Sequence, residues 1–156
     1  MLEQKDTGFV IFGLCRSGSN LLRTLLDSHP EIKCDYEIFR KDVYSRQNTA
    51  SQYVIHRIRP LKYIYRKKYY SRSKIYGFKL HESHVSHPGF ILKRLSRKGW
   101  KIIYLSRRCR LKQVFSWMIG SQTGIWVRRE GNPVQPESRK LDPREIASQL
   151  KRWKKR

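Results

Sequence analysis

The chain has 156 residues, with 35 lysines and arginines against 12 aspartates and glutamates, a formal net charge of +23. A chain of this length normally forms one domain with a real core, and its 38% apolar content is too high for simple disorder. Residues 1–50 carry seven basic and seven acidic side chains, whereas residues 51–156 carry 28 basic and five acidic ones. This asymmetry excludes a uniformly basic, histone-like chain. It predicts an anionic partner for the basic part: phosphates, sulfates, nucleic acid or an acidic membrane.

Cysteine content and hydropathy narrow the class of protein further. The three cysteines, Cys15, Cys34 and Cys109, are odd in number and match no zinc-binding spacing, so neither a disulfide framework nor a structural metal is expected. No apolar run reaches the 18 residues of a membrane-spanning helix. The polar start at Met1–Thr7 does not resemble a secretory leader. We therefore expect a cytoplasmic protein with reduced thiols and no bound metal.

The first forty residues predict a strand, a loop, a helix and a second strand. The apolar run Gly8–Leu14 is typical of a buried parallel strand, and the turn formers of residues 15–20 follow it. A helix comes next, which His29-Pro30 ends, and a short strand is expected at Ile32–Cys34. The helix should present one apolar face made of four leucines: Leu21, Leu22, Leu25 and Leu26.

The rest of the chain continues the alternation of strands and helices. Strands are predicted at 75–80 and 101–106, and helices at 89–98, 111–119 and 141–156, with Asp142 and Pro143 starting the last one. The apolar face of the 111–119 helix is expected to contain Leu111, Val114, Phe115 and Met118. Residues 40–74 predict a basic, tyrosine-rich insertion of short helices, and residues 122–140 predict a long loop.

This order of elements predicts an α/β fold with a central parallel sheet flanked by helices. We expect residues 1–156 to form a single domain that contains the 40–74 insertion. The sequence stops inside a helical pattern at Arg156, without a stop signal. The domain is therefore expected to be truncated at its C-terminus.

The loop between the first strand and helix has the spacing of a phosphate-binding loop, with Gly13 and Gly18 at its two ends. Glycines let the backbone approach a phosphate, and the helix N-terminus adds positive potential. Nucleoside-triphosphatase loops continue with Lys and then Ser or Thr, but this chain has Ser19 and Asn20. The spacing alone is equally compatible with an ordinary strand-to-helix turn.

The full stretch from Phe9 to Glu31 resembles the 5′-phosphosulfate loop of sulfotransferases, which use 3′-phosphoadenosine-5′-phosphosulfate as sulfuryl donor. That family has a three-layer, P-loop-like domain and needs no metal. Asn20 stands where many members carry Thr. The resemblance implies that Arg16 stabilises the leaving group as a catalytic residue, and that the donor is bound by Arg16, Ser17, Gly18, Ser19, Asn20 and Leu21.

A second stretch, Tyr104–Trp117, resembles the 3′-phosphate motif of the same family, with an Arg at a strand end and a Ser eight residues later. Arg108 and Ser116 have this spacing, and Arg107 takes the place of Arg108 if the register shifts by one. A guanidinium and a hydroxyl can bracket one phosphate. Residues 122–126, Gln-Thr-Gly-Ile-Trp, are similar to bacterial carbohydrate sulfotransferases of the trehalose and nodulation-factor type. That similarity implies a carbohydrate or glycolipid acceptor.

Two residues are candidates for the catalytic base. Glu37 lies where the carbohydrate and tyrosylprotein branches of the family place a glutamate base. His81 ends a predicted strand, and Lys79-x-His81 resembles the Lys-x-His of cytosolic sulfotransferases, whose histidine is the base. The sequence does not decide between them.

The stretch Arg57–Lys74 supports a rival hypothesis, because eight of its 18 residues are basic and four tyrosines are interleaved. Cations and rings together are typical of nucleic-acid binding, although no known base-reading motif is present, so nucleic acid is not expected. A kinase-like enzyme with a degenerate loop is a further alternative. The excess charge otherwise indicates an anionic acceptor or an anionic membrane surface.

Overall fold

The protein is described here by a computed structural model that covers residues 8–40, 59–126 and 141–154. Parts of three predictions therefore lie outside the described residues: the start of the chain, positions 41–58 of the insertion, and positions 127–140 of the long loop. The elements, in chain order, are β1 (Gly8–Gly13), α1 (Ser19–Asp27), β2 (Ile32–Glu37), α2 (Pro60–Ser71), β3 (Ile75–His81), a 3₁₀ turn (Glu82–His84), α3 (Pro88–Arg97), β4 (Lys101–Leu105), α4 (Arg110–Thr123) and α5 (Pro143–Lys154).

The four strands form one sheet in the order β2-β3-β1-β4, and every pair is parallel. The predicted α/β fold with a central parallel sheet is thereby confirmed. In the register of the central pair, Gly13 at the end of β1 lies opposite His81 at the end of β3. The loop that follows β1 and the end of β3 are therefore neighbours at the carboxyl edge of the sheet, where α/β folds place their ligands.

Apolar side chains cover both faces of the sheet. On one face, Val10, Tyr76 and Phe78 pack with Ile64 of α2 and Leu95 of α3. On the other face, α1 packs its leucines against Phe9, Ile11 and Cys34. The helices that follow β1 and β3 therefore lie on opposite faces of the sheet. In α/β folds this arrangement marks the ends of the two strands as the usual ligand site.

The helix α1 corrects the prediction of a four-leucine face. Leu22 and Leu26 pack against the sheet, but Leu21 and Leu25 are 68% and 62% exposed. Residues one position apart on a helix point about 100° away from each other, so a sheet on one side can bury only one leucine of each adjacent pair. The predicted face of α4 is only partly buried: Val114 and Met118 are buried, whereas Leu111 in the first turn is 43% exposed.

The contacts divide the chain into two compact units. The first comprises residues 1–14 and 18–106, and the second comprises residues 15–17 and 107–156. In the second unit, Val114 and Met118 of α4 pack with Trp153 of α5. Asp142 accepts a hydrogen bond from the Arg144 amide at 2.8 Å, so the predicted cap of α5 is confirmed. Within the part of the chain that the structure describes, no helix is long and apolar enough to span a membrane.

Candidate active site

The turn after β1 requires glycine at both ends. A Cβ on Gly13 would collide with the carbonyl oxygen of Leu105, so only glycine lets the two backbones approach this closely. Gly18 has a φ of +93° and occupies the N-cap position of α1, where no side chain caps the helix. The first backbone N–H groups of α1 therefore remain available for an anion.

An ion pair in the first unit joins the ends of β2 and β3. Lys79 Nζ lies 2.6 Å from a carboxylate oxygen of Glu37, and both side chains are close to nine-tenths buried. The same ammonium donates a hydrogen bond of 2.8 Å to Oδ1 of Asn20 in the first turn of α1. A register shift in β2 between Asp35 and Glu37 places Glu37 opposite Lys79. One buried cation thus connects the candidate base with the helix that follows the phosphate-type loop.

The second candidate base lies in the same cluster. His81 is 8% exposed, its Nδ1 lies 3.0 Å from the Ser83 hydroxyl, and its Nε2 is buried without a hydrogen-bond partner among the described residues. Burial, followed by the neighbouring charge of His84, lowers the pKa of His81 to about 4. Its ring centroid is 5.0 Å from that of His84, and His84 Nε2 is 3.7 Å from Glu37. Both candidate bases therefore belong to one buried cluster.

In the second unit, Arg16 and Ser116 come together. Arg16 Nε donates a hydrogen bond of 2.7 Å to the Ser116 hydroxyl, and its Nη1 donates to the carbonyl oxygen of Trp126. Arg16 has a φ of +61°, a left-handed conformation that is uncommon outside glycine. Loop residues of this kind are typical of functional turns.

The two arginines after β4 differ in their surroundings. Arg107 is half-buried and donates a hydrogen bond of 3.3 Å to the backbone carbonyl of Arg16. Arg108 is exposed. The choice between them as a phosphate ligand, which the sequence leaves open, remains a prediction.

The other loop residues also have distinct surroundings. The Ser17 hydroxyl is buried and has no hydrogen-bond partner within the described part of the chain, so it is free to donate to a ligand. Ser19 is buried at the start of α1, whereas the side chain of Leu21 is exposed. Any contribution of Leu21 to an anion therefore comes from its backbone amide.

The sequence motifs do not identify Lys79 as a site residue, because it enters them only as part of a Lys-x-His pattern. In the structure it contacts both Glu37 and Asn20. The sequence does contain a signal for this role, because a lysine inside an apolar strand is almost never buried without a partner. Groups of three or more histidine, cysteine or acidic side chains able to hold a metal are absent from the described ranges.

The parallel sheet and the glycine-bounded loop between β1 and α1 define an α/β protein of the P-loop-like class. Comparison with known protein families identifies the family, since the sequence model of the sulfotransferase family matches residues 8–95. The match covers more than half of the chain, so this protein belongs to the sulfotransferase family. It includes the loop, Glu37, Lys79 and His81 but ends before Arg108 and Ser116. No curated protein and no solved structure matches the chain.

Proposed function

We propose that this chain transfers a sulfuryl group from 3′-phosphoadenosine-5′-phosphosulfate to a hydroxyl of a carbohydrate or glycolipid. The observation that carries the proposal is the buried cluster of Glu37, Lys79 and His81 at the carboxyl edge of the sheet, linked through Asn20 to the helix after the loop. A proton acceptor next to a phosphate-type loop is what transfer from an activated anionic donor to a hydroxyl requires.

The donor is proposed to bind through groups on the loop and on α4. The amides of Ser19, Asn20 and Leu21 at the uncapped start of α1, together with the Gly18 backbone and the unpaired Ser17 hydroxyl, suit the 5′-phosphosulfate. Arg16 and Ser116, which are hydrogen-bonded to each other, supply a cation and a hydroxyl. Arg108 is exposed and is proposed to bind the 3′-phosphate, with Arg107 as the alternative.

The proposed step is an in-line displacement at sulfur. The acceptor oxygen forms a bond to sulfur, the bond from sulfur to the bridging phosphate oxygen breaks, and the acceptor proton goes to the base. The products are the sulfated acceptor and 3′-phosphoadenosine-5′-phosphate. Negative charge develops on the bridging oxygen, and the Arg16 guanidinium is assigned to stabilise it. The chain's share of catalysis is therefore positioning and charge compensation, as in phosphoryl transfer.

Between the two candidate bases, Glu37 is the first choice in this proposal, because its carboxylate contacts Lys79, which in turn is hydrogen-bonded to Asn20 in the first turn of α1. Burial lowers the pKa of His81 to about 4, so its ring is no stronger a proton acceptor than an ordinary carboxylate. Glu37 is a carboxylate whose charge is balanced by Lys79, with His84 and Arg40 nearby. In this proposal Glu37 takes the proton of the acceptor hydroxyl. His81 lines the part of the cluster where the acceptor binds.

The test is transfer of labelled sulfuryl from the donor to a panel of carbohydrate and glycolipid acceptors. The Glu37→Gln variant is expected to lose roughly 10²–10⁴-fold in turnover while still binding 3′-phosphoadenosine-5′-phosphate. Glu31→Gln is the matched control, because Glu31 is half exposed and forms a surface ion pair with Lys74. If the Glu37→Gln variant stays active and the His81→Ala variant is inactive, His81 and not Glu37 is the base. Transfer of phosphoryl from ATP, with no sulfuryl transfer, would overturn the function.

A further inference from the structure

The layer formed by α2 and α3 carries a dense set of cations. Both helices pack on the same face of the sheet through Ile64 of α2 and through Ile91 and Leu95 of α3. Neither helix contains an acidic residue. Their outward sides expose a set that we term the α2–α3 basic face: Lys62, Arg66, Tyr69 and Tyr70 of α2, and Phe90, Lys93, Arg94 and Arg97 of α3.

The cations of this face have no acidic partner in the part of the chain that the structure describes. Among the described residues, carboxylates that form ion pairs with Lys62, Arg66, Lys93, Arg94 or Arg97 are absent. Lys67, on the flank of α2, differs because it lies 3.8 Å from Asp35. Five cations on one layer, none of them paired with a carboxylate of the described ranges, produce a positive potential that attracts an extended anion.

Three large, exposed aromatic rings lie among the cations of this face. Tyr69 and Tyr70 are 80% and 66% exposed, and Phe90 is 55% exposed. Arg66 lies over the ring of Tyr70 at 5.7 Å, and Arg94 lies over the ring of Phe90 at 5.5 Å. Tyr69 and Tyr70 meet edge to face, with their centroids 5.5 Å apart. An arginine therefore covers one face of the Tyr70 ring and one face of the Phe90 ring, while all three rings keep most of their surface exposed.

The face extends across the whole layer. Phe90 lies in the first turn of α3, which follows the carboxyl end of β3, while Tyr69 and Tyr70 lie in the last turn of α2, which precedes the amino end of β3. Amphipathic rings between arginines and lysines, on helices that cover a sheet, are typical of surfaces that bind the headgroup region of a bilayer. A membrane containing acidic lipids is a flat and laterally extended anion, and it matches both the charge and the rings.

We propose that the α2–α3 basic face docks this protein on an anionic lipid bilayer. Arg66, Arg94 and Arg97 approach the lipid phosphates, and Phe90 and Tyr69 enter the headgroup region. This interaction is separate from the reaction, since it involves none of the residues assigned to the donor, the base or the leaving group.

The experiment is co-sedimentation of the full chain with phosphatidylcholine vesicles that contain about 30% phosphatidylserine, compared with pure phosphatidylcholine vesicles. Binding is expected only to the acidic vesicles and is expected to weaken as salt is raised. Soluble glycerophosphoserine at the same lipid concentration should not compete, which separates a bilayer from a free phosphate ligand. The triple variant Arg66→Gln, Arg94→Gln, Arg97→Gln is expected to lose on the order of a hundredfold in binding.

The matched control removes the same number of charges from exposed positions in the second unit: Lys112→Gln, Lys151→Gln, Arg152→Gln. It should bind acidic vesicles nearly as well as the wild type. Equal losses in the two triple variants would show that net charge alone is responsible and would overturn the assignment of this face. Phe90→Ser is expected to weaken vesicle binding without changing binding to a single-stranded oligonucleotide.

Binding of nucleic acid to this face is the alternative to membrane docking. If the α2–α3 triple variant lost oligonucleotide binding while vesicle binding stayed unchanged, the face would be a nucleic-acid site. Because all three substituted arginines are exposed, the variants should fold, and circular dichroism and thermal unfolding check this. Retained transfer activity in the triple variant would separate docking from catalysis.

Discussion

At the scale of single residues, the surroundings of His81 determine its protonation. The ring is buried at the end of β3, it faces Glu37, Lys79 and His84, and its Nε2 has no hydrogen-bond partner among the described residues. Burial stabilises the neutral ring over the charged one. His81 therefore has a lower pKa in the folded protein, about 4, than its ordinary value of 6.5.

This difference predicts a pH dependence of stability. Between pH 6.5 and pH 4 the unfolded chain binds a proton at His81 that the folded chain does not, so the free energy of unfolding falls as the pH is lowered through this window. The loss attributable to His81 is expected to be a few kcal/mol, about 1.4 for each pH unit. Urea denaturation of the wild type and of His81→Gln at several pH values measures it. The acid slope should be shallower in His81→Gln.

His87→Gln is the control for this measurement, because His87 is exposed. Its slope should follow that of the wild type. Identical slopes for all three proteins would contradict the lowered pKa of His81.

The sequence predicts Glu37 and His81 as candidate bases, but it does not predict the buried ion pair between Lys79 and Glu37. The positions of Glu37 and His81 near strand ends follow from the apolar runs before them. The contact of Lys79 with Glu37 depends on the irregular register between β2 and β3. No local sequence pattern encodes a register shift of this kind, since it is set by packing between the strands.

At the scale of elements, one buried ion pair joins β2 to β3. Lys79 and Glu37 lie 2.6 Å apart, and their side chains are only 8% and 11% exposed. A buried charge that loses its partner remains desolvated and uncompensated, which is costly.

Lys79→Met is therefore expected to destabilise the fold by about 3–5 kcal/mol. Lys67→Met, on the neighbouring helix, is the matched control, since Lys67 is 44% exposed and lies 3.8 Å from Asp35. The control should cost less than about 1 kcal/mol. Chemical denaturation compares them, and equal losses would refute the special role of the buried pair.

The close approach of β1 and β4 depends on the absence of a side chain at Gly13. Any side chain at this position meets the carbonyl oxygen of Leu105, and a strand backbone cannot move away without breaking the sheet. Gly13→Ala is expected to lower the free energy of unfolding by about 1–3 kcal/mol, as other overpacking substitutions do. Gly89→Ala is the control, because a Cβ there meets nothing within 4 Å. A stable Gly13→Ala with an unchanged melting temperature would contradict the close approach.

The strands could be predicted because parallel strands of α/β folds are short, continuous apolar runs, as in the buried strand Gly8–Gly13. The run at Lys101–Leu105 also predicts a strand, although this edge strand is largely exposed. The sequence alone does not show which leucines of α1 are buried. Adjacent leucines have equal hydrophobicity, and only the position of the sheet decides that Leu22 is buried and Leu21 exposed.

At the scale of the whole molecule, the charge of +23 exceeds what one small anionic donor can compensate. The donor site proposed above uses only Arg16 and Arg108 or Arg107 as cations. The α2–α3 basic face holds five cations that have no acidic partner among the described residues, and the proposed membrane docking gives them a function. Net charge in the sequence predicted an anionic partner, but only the fold separates the charges into distinct surfaces.

We propose that the loop after β1 and the arginine after β4 bind a nucleotide with a 3′-phosphate. Titration calorimetry with 3′-phosphoadenosine-5′-phosphate in the presence of EDTA tests it most directly. We predict binding at micromolar concentration or tighter without Mg²⁺, and a loss of roughly 10–100-fold in Arg108→Ala but not in Lys112→Ala. A preference for ATP, or binding that requires Mg²⁺, would contradict the account.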